Sequence, residues 1–206
     1  MALPQSQQNG ADTGLLNPRQ LFVLSGPSGV GKNTVAAELA RRRRAVRAVT
    51  ATTRTPRPGE CDGRDYTFVS EDEFRRWIEE GRLLEHTRYV GCCYGTPLAS
   101  VNRAAAAGLP VLLTIDVDGG VQIKERWPQA TLIFLEPPSE QELRRRLELR
   151  GRDDEASIAR RLRRAREEMD YAGRYDFRVV NDDLDRAVDE VARIMAGRCR
   201  AEETIP

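Results

Sequence analysis

The stretch Leu21-Phe22-Val23-Leu24-Ser25-Gly26-Pro27-Ser28-Gly29-Val30-Gly31-Lys32-Asn33-Thr34 decides the architecture. A short apolar run that stops at small residues suits a strand buried on both faces. The glycines after it let successive backbone N–H groups turn inward, and a helix opening at Lys32 adds the partial positive charge of its N-terminus. Strand, Gly-rich turn, Lys and helix in that register predict a phosphate-binding loop over Gly26-Pro27-Ser28-Gly29-Val30-Gly31-Lys32-Asn33. Lys32 is expected to reach the β- and γ-phosphates of a nucleoside triphosphate. The loop says nothing about the acceptor.

Working outward, two more apolar runs read as parallel strands, Val111-Leu112-Leu113-Thr114-Ile115 and Thr131-Leu132-Ile133-Phe134-Leu135, and Val179-Val180 hints at a fourth. Helical periodicity continues from Lys32 to Arg44 and returns at residues 71–80, 97–107, 119–126, 139–150, 154–171 and 184–197. Alternating strands and helices imply an α/β fold with a parallel sheet. Residues 50–96 break the alternation with turns, glycines and aromatics and read as an inserted substrate region. Residues 138–173 are rich in arginine and acids at helical spacing, with Gly151 between two segments. The runs Arg41–Arg44 and Arg144–Arg146 read as solvated helix faces, the second close to the expected phosphates. Residues 1–18 are polar and read as a disordered tail.

Composition removes several function classes. The chain has 206 residues, of which 40% are hydrophobic and 32% charged, enough for one cored domain and not for two comfortable ones. Basic and acidic side chains number 33 and 32, a balance without the excess that nucleic-acid binding asks for. No apolar run approaches the ~18 residues of a membrane span, and the first residues lack the apolar core of a secretory signal. Cys61, Cys92, Cys93 and Cys199 make no CxxC and no zinc-like spacing, so reduced thiols in a cytoplasmic protein are expected. Lys32 and Lys124 are the only lysines in a chain that otherwise uses arginine. A compact ammonium kept at position 32 fits the phosphate reading.

The acceptor enters with Thr52-Thr53-Arg54-Thr55-Pro56-Arg57-Pro58-Gly59-Glu60, then Asp62-Gly63-Arg64-Asp65-Tyr66-Thr67-Phe68-Val69, Leu84-Glu85 and Tyr94-Gly95-Thr96. With Pro137-Pro138-Ser139, Arg146-Leu147, Arg150-Gly151, Arg161-Leu162 and Val180-Asn181-Asp182-Asp183-Leu184, this resembles the guanylate kinase family, ATP:GMP phosphotransferases, from about Leu21 to Ile194. The resemblance implies a P-loop nucleoside monophosphate kinase fold. Its parallel sheet core, flanked by helices, would use residues 19–49, 97–137 and 174–198. A mixed-β GMP-binding region would occupy 50–96, a helical Arg-rich lid 138–173 and a C-terminal tail 199–206.

The resemblance also implies roles. Arg54, Arg57, Tyr66 and Tyr94 match the positions that grip the GMP phosphate, a task for which guanidinium forks are well shaped. Glu85, with Thr50, Thr96 and Asp116, matches the guanine-reading positions. Arg146, Arg150 and Arg161 match lid arginines that close over the ATP phosphates. Asn181 falls on the adenine side and Thr34 near the α-phosphate. ATP and GMP are the implied partners and Mg²⁺, as MgATP, the implied cofactor, in a monomer or homodimer. Three positions depart from the family pattern. Asn33 replaces a Mg²⁺-facing hydroxyl, Thr114 replaces an acid at the end of its strand, and Cys92-Cys93 replaces Asn-Tyr. Asp116 and Asp118 are the candidates to cover for Thr114. Two other readings stay open. One is a related P-loop kinase acting on a ribose bisphosphate, which the Thr52–Glu60 string disfavours. The other is a non-catalytic binding module, which Gly31-Lys32 and the lid arginines disfavour.

Overall fold

A computed structural model describes residues 16–149 and 155–200. Five strands form a parallel sheet: β1 (Leu21–Ser25), β2 (Val46–Arg47), β7 (Val111–Thr114), β8 (Thr131–Glu136) and β9 (Phe177–Val180), in the order β2-β7-β1-β8-β9. Strand β1 lies at the centre, pairing Leu21 with Val111 on one side and Phe22 with Thr131 on the other. Every residue of β1 and β8 is buried, as continuous apolar strands require when helices cover both faces.

Alternation along β1 divides the core. Leu21 and Val23 join Leu132 and Phe134 on one face, under Val101 of α3 (Leu98–Ala105) and Val117 and Ile123 of α4 (Val117–Arg126). Phe22 and Leu24 join Ile133 and Leu135 on the other. There they meet Val35 and Leu39 of α1 (Lys32–Arg41) and Val188 and Val191 of α7 (Leu184–Arg200). Each such side chain contributes about 1.5–3 kcal/mol when fully buried. Arg42 then ties α1 to α7 through Asp185 and Asp189. The arginine run read as a solvated face therefore contains one tertiary strut.

Residues 50–96 fold as a second, mixed sheet in the order β4-β3-β6-β5. Strand β3 (Ala51–Thr52) pairs parallel with β4 (Thr67–Phe68) and antiparallel with β6 (Cys92–Pro97), which pairs antiparallel with β5 (Leu83–Tyr89). Helix α2 (Glu71–Glu79) starts where the Ser70 hydroxyl accepts from the Glu73 N–H at 3.2 Å. It seats Phe74 and Trp77 against Ala51 and Leu83. Helices α5 (Glu140–Leu149) and α6 (Glu155–Met169) share their own small core of Leu143, Leu147, Ile158, Leu162 and Ala165.

Some boundaries differ from the expectation. The tail boundary read at 18 is displaced: Leu16 is buried in the core, and the Asn17 side chain caps a 3-10 turn at Pro18–Gln20. Two adjacent leucines in a polar stretch carry no periodic signal, so the burial of Leu16 was illegible. The C-terminal tail read from 199 is likewise displaced, because α7 runs on to Arg200. Helix α1 stops at Arg41, short of the Arg44 expected, and β2 follows where no strand was expected. The expected positions Arg150 and Gly151 lie outside the described residues.

Close packing of α4 on β1 gives a test. A Cβ on Gly120 would collide with the Tyr175 hydroxyl and lie 3.0 Å from its ring carbon Cζ. Helix propensity alone favours Ala over Gly by about 1 kcal/mol, so any net loss measures the collision. Gly120→Ala is expected to cost ~1–3 kcal/mol in urea unfolding. Adding Tyr175→Phe should recover part of that loss by removing the first atom struck. A double variant less stable than the two single losses combined would contradict this packing account.

Candidate active site

The carboxyl ends of β1 and β7 open into a cleft that also receives the inserted sheet and helix α6. Its floor is the phosphate loop: Gly26, Ser28, Gly29, Gly31, Lys32, Asn33 and Thr34 line it. Lys32 Nζ is folded back onto the loop's own carbonyls, donating to Gly26 O at 2.5 Å and Pro27 O at 3.1 Å. Val30 is fully buried, and its carbonyl accepts from Asn181 Nδ2 at 2.8 Å and from an Arg146 guanidinium nitrogen at 3.2 Å. Asn181, expected on the adenine side, is thus a buried buttress behind the loop. Arg146, expected over the phosphates, also donates to Asn181 O at 2.8 Å and pairs with Glu142 at 2.8 Å. Here it braces α5 against the back of the loop. Arg161 lines the cleft itself, donating to Ser28 Oγ at 2.8 Å.

The inserted sheet supplies a second wall with Thr50, Arg57, Tyr66, Glu85 and Tyr94. The rings of Tyr66 and Tyr94 lie edge to face with centroids 6.2 Å apart. The Arg54 guanidinium lies 5.5 Å from the Tyr66 centroid, and its Nη2 alone donates to both carboxylate oxygens of Glu60 at 2.9 Å. Glu60 also accepts from the Arg57 N–H at 2.7 Å. Any phosphate recruited to Arg54 therefore meets a carboxylate already in place.

Glu85 is the deepest ionisable group of this wall, 2% exposed. Its Oε1 accepts from the Thr96 hydroxyl at 2.7 Å. Gly119 makes room for the other oxygen, since a Cβ there would stand 2.7 Å from Oε2. Burial pushes the Glu85 carboxyl up to about 8; the Thr96 bond opposes the shift and the nearby Asp116 charge adds to it. Asp116 caps α4, accepting from Gly119 N at 2.8 Å, and takes the Thr87 hydroxyl at 2.5 Å. Asp118 faces Arg164 at 3.2 Å. Both aspartates suggested as cover for Thr114 thus have cationic or N–H and O–H partners of their own.

The site also holds Thr87, Tyr89 and Glu168, none of which the sequence reading singled out. Glu168 is 2% exposed and accepts from the Ser28 N–H at 3.2 Å. A signal for it existed. Ile158, Leu162 and Ala165 form the buried stripe of α6, and Glu168 is the acid that continues it.

Comparison with known proteins bears on this assembly. The sequence model of the family described as guanylate kinase matches residues 18–198. The chain belongs to the guanylate kinase family. A guanylate kinase of Gloeobacter violaceus is 51% identical over 177 residues, covering 85% of this chain and 86% of that one. One from Thermus thermophilus is 47% identical over 181 residues, covering 88% and 82%. Among solved structures, guanylate kinase from Anaplasma phagocytophilum superposes with a TM-score of 0.72 at 33% identity, over 90% of this chain and 86% of that one. The enzyme class and the P-loop kinase fold expected from the sequence both stand, with the parallel sheet as core and the mixed sheet beside it.

The raised Glu85 carboxyl has a consequence for stability. Its folded value of about 8 lies above its ordinary value of 4.5, so the folded state keeps a proton that the unfolded state has lost. Stability from this group is complete below about 4.5 and declines as pH rises towards about 8, by at most about 1.4 kcal/mol per unit. Glu85→Gln lacks the term while keeping an acceptor for Thr96. The unfolding midpoints of variant and wild type should therefore diverge in the variant's favour from pH 5 to pH 8. Two curves offset by a constant amount would refute the assignment.

Proposed function

We propose that this kinase transfers the γ-phosphoryl group of MgATP to GMP and dGMP, giving ADP and GDP or dGDP, in the purine nucleotide metabolism of the cytoplasm. The observation that carries the reading is Glu85: a buried carboxyl, held by Thr96, on the wall that adjoins the phosphate loop. Guanine presents N1–H and an exocyclic amine on one edge, and Glu85, giving up its proton as guanine seats, accepts from both in its ionised form. Adenine presents an unprotonated N1 there and cannot supply that donor pair.

The remaining residues take their roles from reach and charge. The loop N–H groups and the N-terminus of α1 receive the ATP phosphates, and Lys32 leaves Gly26 and Pro27 to join them. Arg57, Tyr66 and Tyr94, with Arg54 once released from Glu60, hold the acceptor phosphate in line with the γ-phosphate. Arg161 and, by family resemblance, Arg146 and Arg150 offset charge spread over the transferring group. Such transfer depends on positioning and electrostatics, so no dedicated base is assigned.

Mg²⁺ bound with ATP would offset negative charge on the phosphates. The protein's donors suit a metal carried that way: among the described residues no three His, Cys, Asp or Glu side chains gather into a cage. Mg²⁺ commonly keeps several waters and takes one or two protein ligands besides phosphate. Asn33 and Thr34 stand nearest by sequence to the loop end where those phosphates would lie.

The test is an ADP-release assay with MgATP and a panel of acceptors against a blank. GMP and dGMP should be good acceptors, and AMP, CMP and UMP poorer by ~10⁴-fold in kcat/KM. Glu85→Gln should raise KM for GMP and narrow the gap to AMP, with KM for ATP nearly unchanged. Equal use of GMP and AMP by the wild type would end the proposal. Lys32→Ala, folded by circular dichroism, should lose at least ~10²-fold in kcat. Wild-type turnover in that variant would remove the loop from the mechanism.

A further inference from the structure

Three parts of the protein meet at Ser28. The residue belongs to the loop between β1 and α1. Its N–H donates to Glu168 Oε2 at 3.2 Å and its hydroxyl accepts from Arg161 at 2.8 Å, both partners being on α6. The third part is the hairpin of the inserted sheet. Tyr89, the last residue of β5, brings its phenol to the Ser28 side chain as a hydrogen-bonding neighbour. The guanidinium of Arg164, also on α6, lies over the Tyr89 ring at 5.7 Å from its centroid. Asp118 at 3.2 Å and Glu168 at 3.4 Å hold it there.

The reaction described above uses neither Tyr89 nor Arg164, yet both sit where its two halves join. Glu85, Thr87 and Tyr89 all line the cleft, as alternate residues of one strand must when they share a face. From His86 to Tyr89, β5 pairs regularly with β6 after an irregularity between Leu83 and His86, and this paired segment is a stiff link. It carries what is fixed beside Glu85 to the Tyr89 ring, beside the phosphate loop. From the opposite side Glu168 is a buried carboxylate whose charge is balanced by Arg164 and by Lys32. Losing a partner from such a group is costly, so Arg164 is confined between Glu168 and the ring. The cation–π contact is therefore a direct bridge between the wall that takes the acceptor and the helix that covers the donor.

We propose that Tyr89 and Arg164 are positioning residues that couple the two nucleotide sites through Ser28. An acceptor that orders β5 presents the ring on which Arg164 rests. That in turn sets α6, and with it Arg161, over the phosphate loop. Coupling of this kind is reciprocal: the donor nucleotide must tighten the acceptor by the same factor. The inference rests on the GMP and ATP reading above.

Isothermal titration of the full chain tests it, with GMP alone and with GMP in saturating MgATP analogue whose γ-phosphate cannot be transferred. The wild type should bind GMP more tightly with the analogue present, by a factor within the usual range of about 5–150. Tyr89→Ala and Arg164→Gln should each reduce that factor at least about threefold, with GMP affinity in the absence of analogue changed by less. The double variant should lose no more than the larger single loss, because one contact is removed either way. Tyr89→Phe keeps the ring under Arg164 and, should Tyr89→Ala fail to fold, must retain more coupling than Arg164→Gln. A wild-type factor of one, with both ligands binding, overturns the coupling and leaves the reaction intact. Losses that multiply in the double variant overturn it too. Absence of GMP binding to the wild type shows in the first titration and instead brings down the underlying reading.

Discussion

The first N–H groups of a helix have no carbonyl partners within it, and at α1 those groups open into the middle of the sheet's carboxyl edge. Everything else follows from where β1 delivers them. Because β1 is flanked by β7 and β8 and buried on both faces, it cannot shift without breaking two ladders and two halves of the core. The loop after it is therefore a fixed point. Helices α5 and α6, sharing one small apolar cluster, and the inserted sheet, with another, are attached around it, Leu84 of β5 reaching the main core as well. Stability resides in the sheet and adjustability in the attachments, the division expected where catalysis needs parts that move.

Electrostatics repeats the pattern. In the structure most cations in and around the cleft are engaged by protein oxygens: Lys32 by loop carbonyls, Arg54 by Glu60, Arg146 by Val30 and Asn181, and Arg161 by Ser28. A dense group of like charges would otherwise repel itself. At those four, carbonyls, a carboxylate and a hydroxyl stand where phosphate oxygens are proposed to come, so a ligand exchanges partners with them.

What the sequence disclosed divides along physical lines. Strands β1, β7 and β8 are unbroken apolar runs, and burial on both faces is the only use such runs have in an α/β sheet. Strand β2 is two half-buried residues after an arginine run, held by its pairing with β7, so no local pattern announced it. Leu16 was lost for a similar reason. In the site, the loop glycines, Lys32, Glu85 and the two tyrosines, expected from their chemistry, do line one cleft. Contacts set by distant partners were not legible. Arg146 and Asn181 were expected from their chemistry at phosphate and adenine; in the structure both also meet the Val30 carbonyl, which depends on residues far away in sequence. Glu168 hid in an acidic and basic helix most of whose charges face solvent, and Tyr89 was one aromatic in an aromatic-rich insert.

The Arg54–Glu60 pair turns acceptor capture into a contest between anions. One arm of the Arg54 guanidinium is occupied before any ligand arrives, by a carboxylate that is itself anchored on the Arg57 N–H. On the proposed reading, an incoming group gains only the difference between its own hold on Arg54 and that of Glu60. A singly charged carboxylate offers no difference at all. A phosphate monoester, with nearly twice the charge and a third oxygen for Tyr66 or Tyr94, does. The pair thereby acts as an internal reference against which ligands are weighed.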